Sequence, residues 1–250
     1  MIKRFIINAD DFGISKGAVL GTIETHVNGV VRSTTAMMNM SYVEYALQEA
    51  KKYPDLGVGI HLVLTAGKAL LPKKTAYLDD EGNFIHKGKY PNGYPEMNED
   101  DLYAEWKAQM VKFIKLAGKK PTHIDSHHHV HTEPQCIKVA KRLAAEYDLP
   151  MRMKDENEST NGYEKVKFFS TFYDKNVSIE MIKKLCIENE GTIEIMAHPA
   201  YLDSRIYGMS SYNLQRMQEL DVLCSDELKT FFAENNIELI NYRDIKKVNV

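Results

Sequence analysis

The residues best equipped for chemistry in this 250-residue chain stand in four short strings: "NADDFG" from Asn8, "GIHLVLT" from Gly59, "PTHIDSHHHVH" from Pro121 and "MAHPA" from Met196. The third string holds five of the nine histidines. Neutral imidazole is a common ligand for zinc and other divalent transition metals. If 122–127 is extended, Thr122, Ile124 and Ser126 share one face and His123, Asp125 and His127 the other. The row then runs on through His128, His129 and His131. A single histidine is ordinarily a hydrogen-bonded core or surface residue; a row of them at a strand end points to a metal or to catalysis.

Asp10 and Asp11 raise a second question. Adjacent carboxylates at the end of a buried strand are costly to desolvate unless they are paired or bind a cation. Neighbours in a strand face opposite ways, so a division of labour follows, one aspartate on a metal and the other serving as a base. The alternative is that both simply cap the next turn and helix, with Gly13 supplying the bend. His61 lies in an apolar strand flanked by Gly57 and Gly59, and glycines there permit close approach of other groups. Alone it would read as a core histidine. With an aspartate and another histidine at other strand ends it completes a carboxylate–imidazole triad, the open pattern of a catalytic metal. His198 ends a further apolar strand, where Pro199 stops it, and is a candidate general acid.

The elements that must position these residues alternate. Strands are predicted at 4–9, 31–38, 57–64, 122–126, 151–153, 166–171, 192–198 and 237–242. Helices are predicted at 15–28, 41–53, 99–117, 134–147, 178–189 and 211–235, the last broken near Cys224. Ser41, Asn98 or Glu99, Thr132 and Ser178 are candidate helix starts, and Gly29, Gly118 and Gly191 candidate helix stops. Seven or eight mostly parallel strands in one domain spanning 1–250 predict an α/β fold, a closed or nearly closed β/α barrel, with a doubly wound sheet as the alternative. Nearly every strand turns polar at its C-terminal end, where parallel α/β architectures place their sites. Residues 67–98, rich in glycine and proline, form an insertion on that face, with a hairpin at "YLDDEGNFI".

Bulk composition excludes several classes. A hydrophobic share of 44%, a charged share of 27% and a net charge of −3 describe an ordinary globular protein, with no call for nucleic acid or an anionic membrane as partner. Cys136, Cys186 and Cys224 make no disulfide framework. No apolar run reaches membrane-spanning length, and the N-terminus does not read as a secretory signal, which predicts a cytoplasmic location. A homodimer is compatible with this size, though no sequence feature marks an interface.

Taken together and in this order, "NADDFG", "GIHLVLT", "PTHIDSHHHVH" and "AHPA", with "STTAMMN" at 33–39, closely resemble the YdjC-like carbohydrate deacetylases, whose named relative is the chitooligosaccharide deacetylase. The resemblance spans nearly the whole chain. It implies a distorted β/α barrel of the polysaccharide-deacetylase type and a metal-dependent hydrolase that removes acetyl from an N-acetylated amino sugar. It places the metal ligands on Asp11, His61 and His127, the base on Asp10 and an acid on His198. Asp125, His129 and His131 would orient ligands or sugar, and Arg152, Tyr201, Arg205 and Trp106 are candidate sugar contacts, although the helical surroundings of Trp106 favour core packing. One divalent ion is implied, Mg2+ or Zn2+, with Co2+ and Mn2+ also suiting such ligands. The rivals are another metal-dependent hydrolase, acting on a phosphoester or cyclic amide, and a non-catalytic sugar-binding relative.

Overall fold

The computed structural model describes residues 3–71, 73–90, 93–154 and 161–248. Pro72 and Pro91 of the insertion lie outside the described residues. In chain order the helices and strands are β1 (Lys3–Phe12), α1 (Lys16–Val27), β2 (Ser33–Ala36), α2 (Val43–Ala50), β3 (Gly57–Leu62), α3 (Glu99–Ala117), β4 (Ile124–Ser126) and α4 (Ile137–Tyr147), followed by β5 (Lys167–Phe169), α5 (Ile179–Glu188), β6 (Thr192–Ala197), α6 (Ser204–Met209), α7 (Leu214–Cys224), α8 (Asp226–Glu234) and β7 (Ile237–Leu239).

All strand pairs are parallel, and the sheet runs β4-β3-β2-β1-β6-β5, with β7 pairing the first residues of β1. The sheet curls into a half-barrel with helices outside it, the distorted barrel the sequence predicts. The eighth strand, expected at 151–153, is reduced to a single parallel bridge between Met151 and Ile124. Among the described residues the edge of β4 is covered only there, where Ile124 donates to the Pro150 carbonyl and accepts from the Arg152 N–H.

β1 is the central strand, buried from Phe5 onward. Its apolar run packs against helices on one side, and its last residues reach the C-terminal edge of the sheet. On α3 the residues Leu102, Trp106, Met110 and Phe113 recur at helical spacing and are fully buried. Each such side chain contributes roughly 1.5–3 kcal/mol by leaving water. Trp106 donates to the Val63 carbonyl, which fixes it as a core residue and removes it as a sugar contact.

Asn98 and Ser178 cap α3 and α5 through their side chains, and Gly118 ends α3 at a φ of +76°. Two expected caps are corrected. α2 starts after Tyr42, which makes no side-chain cap, so Ser41 is not its N-cap. α4 starts only at Ile137, because residues His127–Thr132 form a 3-10 turn first, and Thr132 donates to the His129 carbonyl instead. The helix expected over 211–235 divides at Ser225, which caps α8, and α6 was not foreseen. In the insertion, the Asp79 and Asn83 backbones close a turn around Gly82, whose φ is +79°.

Gly59 shows why β3 needs glycine. A Cβ there would meet the His123 ring at 2.5 Å, and that ring is itself stacked on Tyr242 at 3.8 Å. Gly59→Ala should therefore destabilise the fold by about 1–3 kcal/mol through overpacking. Chemical denaturation would check this, and an unchanged midpoint would contradict it.

Candidate active site and metal centre

Four strand ends build one cleft of about 390 Å³. β1 contributes Asp10 and Asp11, β3 His61, the end of β4 Ser126 with His127, His128 and His129, and the end of β6 Met196 and His198. The residues before and within α7 add Tyr212 and Arg216, and the insertion adds His86 and Lys87.

Simple strand alternation fails at both key strings, and the backbone explains it. Pairing between β1 and β2 shifts register between Ala9 and Phe12, and Asp11 adopts a φ of +64°. This irregularity turns Asp10 and Asp11 into the same cleft rather than to opposite faces. His128 and His129 likewise sit at φ +56°. Aspartate and histidine are among the non-glycine residues that tolerate this left-handed region best, and such conformations gather at functional sites. The reading of Asp10 and Asp11 as mere helix caps is not supported, because Ser15 caps α1.

Asp11, His61 and His127 come together. Their ligand atoms lie within 4.8 Å of one another. Asp11 Oδ1 is 3.1 Å from His127 Nδ1 and 3.4 Å from His61 Nε2. Behind His61, Asp125 Oδ1 lies 2.8 Å from Nδ1, which leaves Nε2 as the free ligand atom. Thr35 donates to the second Asp125 oxygen. A buried carboxylate with two imidazoles and, among the described residues, no fourth protein ligand in the cluster is the donor set of an open transition-metal site, so these residues fit a divalent cation.

The electrostatics agree. Burial lowers the His61 pKa, but Asp125, Asp11 and Asp10 outweigh it and push it up to about 10. The cluster thus demands a positive charge at Nε2, which a proton or a cation can supply. Burial lowers the His127 pKa more than Asp11 restores it, so that imidazole is neutral, as a ligand must be. Asp11 stays ionised: burial raises its pKa, and Arg216 with His127 brings it well below the ordinary range.

Asp10 is held differently. Its two oxygens accept from Arg152 at 2.8 Å each, and Asn8 donates to Oδ1 at 2.7 Å. Burial raises its pKa, but Arg152 outweighs this and keeps it ionised. Arg152 is fully buried and spans Asp10, Asp125 and Glu194. It is therefore an anchor for the acids and not a sugar contact, which corrects the sequence expectation. His131 is buried as well, between Ser126 and the Arg152 carbonyl, and braces that anchor. Two further expected sugar contacts are corrected. Tyr201 is turned to solvent away from the cleft, and Arg205 donates to the Ile14 carbonyl. Neither lines the cleft, because the chain after Pro199 packs on α1, where a Cβ at Gly17 would meet the Tyr201 carbonyl at 2.0 Å.

His198 lines the cleft, with its Nδ1 3.7 Å from Glu219 Oε1. Glu219 accepts from the His198 backbone N–H and from the Tyr212 hydroxyl. Tyr212 stacks on Tyr173 at 4.0 Å, and both line the cleft. Tyr173, Tyr212, Arg216, Glu219, His86 and Lys87 were missed as site residues by the sequence, whereas His128 stood in the histidine row without an assigned role. "RMQEL" reads as ordinary amphipathic helix; only the burial of Arg216 and Glu219, on a helix that otherwise buries leucines, sets them apart.

The fold and site together define an open parallel α/β half-barrel with an Asp-His-His cluster beside a second, arginine-anchored aspartate. The YdjC-like protein family model matches residues 4–234, and the chain belongs to that family. A carbohydrate deacetylase of Clostridium beijerinckii is 43% identical over 97% of this chain and 100% of its own length. A solved Enterococcus faecalis structure, with a suggested role in cellobiose-phosphate cleavage, is 34% identical at a TM-score of 0.88, covering 97% of this chain and 98% of that one. The Bc1960 peptidoglycan N-acetylglucosamine deacetylase shares the fold at a TM-score of 0.55 and 12% identity, covering 98% and 90%.

Glu194 shares the Arg152 guanidinium with Asp10 and Asp125 in full burial. Burial pushes its pKa up to about 7 from an ordinary 4.5, with Arg152 opposing only in part. Its contribution to stability is then fully present below about 4.5 and lost as the pH rises through about 7. Glu194→Gln, which cannot ionise, should flatten that part of the stability–pH curve. Thermal unfolding between pH 4.5 and 7 checks it, and an unchanged slope would count against this account.

Proposed function

We propose that the protein is a metal-dependent carbohydrate N-deacetylase that releases acetate from an N-acetylated amino sugar, with chitooligosaccharides such as N,N′-diacetylchitobiose as the substrate class. The observation that carries this reading is the Asp11–His61–His127 cluster sharing a cleft with an ionised Asp10. The curated relatives named carbohydrate deacetylase support it.

Asp11, His61 and His127 would hold the ion. Two imidazoles and one carboxylate suit zinc, cobalt or manganese better than magnesium, which prefers an all-oxygen shell. Once bound, the cation supplies Lewis acidity, polarising the acyl carbonyl and lowering the pKa of water. Asp10 is the base that takes the proton of the attacking water. Arg152 and Asn8 fix its orientation, and the Arg152 charge keeps it ready in the ionised form. His198 gives a proton to the departing amine, with Glu219 beside it. The stacked Tyr173 and Tyr212 rings offer an apolar face to a sugar ring, and His86 and Lys87 of the insertion wall the opposite rim. The 67–98 segment is thus proposed as part of the substrate cleft.

A screen for acetate release from N-acetylated mono-, di- and oligosaccharides, with several metals, tests this reading. Release from none of them would overturn it. Asp10→Asn should keep about one ion per chain and lose about 10²–10⁴-fold in kcat, the usual worth of a positioned base. His127→Ala should lose both ion and turnover. Metal analysis beside steady-state kinetics separates the two, and normal turnover by Asp10→Asn would remove Asp10 as the base.

A further inference from the structure

Arg216 is a charged cleft residue that the acid–base assignments above leave unused. It comes from α7, outside the four motif strings, and is only 4% exposed. Two of its nitrogens are engaged. Nη2 donates to Asp11 Oδ2 at 2.7 Å, and Nε donates to the Tyr212 carbonyl at 2.8 Å. These bonds hold the guanidinium plane in place. Its third nitrogen, Nη1, is buried and has no partner among the described residues. A buried cationic donor left unpaired is costly, so one that is retained at a cleft calls for a ligand acceptor.

The two oxygens of Asp11 divide the surroundings. Oδ1 faces the imidazoles of His61 and His127, and Oδ2 faces Arg216. Arg216 is therefore adjacent to the place where the cation would sit. Its charge cancels that of Asp11, so a divalent ion there would retain nearly its full positive field toward a substrate. That environment is built for an oxygen that gains negative charge. In amide hydrolysis, water adds to the acyl carbon and the carbonyl π pair moves onto its oxygen. The pair returns as the C–N bond breaks, the nitrogen takes a proton, and the products are a carboxylate and an amine. Both the developing oxyanion and the carboxylate product present what Nη1 lacks.

Resting on the deacetylase reading above, we propose that Arg216 is a catalytic residue whose Nη1 donates to the acyl oxygen of the substrate as it becomes negative, and which then holds the acetate product. The bonds to the Tyr212 carbonyl and to Asp11 keep the side chain against the cleft rather than in solvent. A lysine carries the same charge without the planar fork, so it can serve Asp11 or the acyl oxygen but not both with the same geometry.

The test uses the full chain loaded with metal, as wild type, Arg216→Met and Arg216→Lys. Three quantities are measured for each: metal per chain, acetate binding by ¹³C-acetate NMR titration, and kcat with KM. Arg216→Met should keep its ion, bind acetate about tenfold or more weakly, and lose about 10²–10³-fold in kcat with KM little changed. Arg216→Lys should recover part of both losses. Acetate affinity unchanged in a metal-replete Arg216→Met overturns the proposal. Loss of the ion in both variants overturns it too, since Arg216 would then act only by positioning Asp11. If Arg216→Met does not fold, Arg216→Lys decides: wild-type acetate affinity in that variant overturns the proposal, and weakened affinity supports it. A wild type that binds acetate through Arg216 yet releases none from any sugar would instead overturn the deacetylase reading and support the donor assignment.

Discussion

Charge compensation at the end of the central strand governs this structure. Asp10, Asp11, Asp125 and Glu194 are all buried at or near β1, within reach of Arg152, Arg216 and His61. Ionised carboxylates in a protein interior persist only when paired and hydrogen-bonded. Each partner here therefore has a fixed task. Arg152 ties Asp10 and Glu194 together, Arg216 takes one side of Asp11, and Asp125 holds His61. The ligand atoms of Asp11, His61 and His127 that these pairings leave facing one another are where a cation fits. Burial raises the Glu194 pKa, and the acids around His61 make it retain its proton in the absence of any other cation.

The fold serves this arrangement through parallel strands that end on one edge. Sheet order places β3 and β4 on one side of β1 and β6 on the other, so His61, His127 and His198 approach Asp10 and Asp11 from both flanks. Left-handed backbone at Asp11, His128 and His129 then redirects side chains that a regular strand would have sent apart. The supporting shell is as buried as the centre. His123 fills the space that Gly59 leaves open, and His131 braces Arg152. Of the five histidines in the "PTHIDSHHHVH" string, His123 and His131 are thus structural, and His127 stands in the cluster with Asp11 and His61.

Legibility in the sequence followed the range of the forces involved. The positions of β1, β3 and β6, and of α1, α3 and α5, were readable because apolar periodicity and side-chain caps are local. The cap at Ser41, the helix start near Thr132 and a full strand at 151–153 were misplaced. In each case a tertiary demand overrode local propensity, most plainly where Arg152 turns inward to the acids instead of extending a strand. Tyr201 and Arg205 were expected to touch the sugar, but close packing of the chain after Pro199 on α1 carries them away from the cleft.

The sequence by itself determined the parallel α/β class, the polar strand ends and the family, because these rest on residue type, short-range periodicity and motif order. It also singled out Asp11, His61 and His127 as residues to be brought together, through resemblance rather than through geometry. Only the tertiary structure decided which acid each arginine holds, that Arg152 is an anchor, and that Arg216 and Glu219 of α7 enter the site at all. The physical reason is that pairing of buried charges depends on distance and burial, and residues 205 positions apart, as Asp11 and Arg216 are, meet only after the sheet has curled.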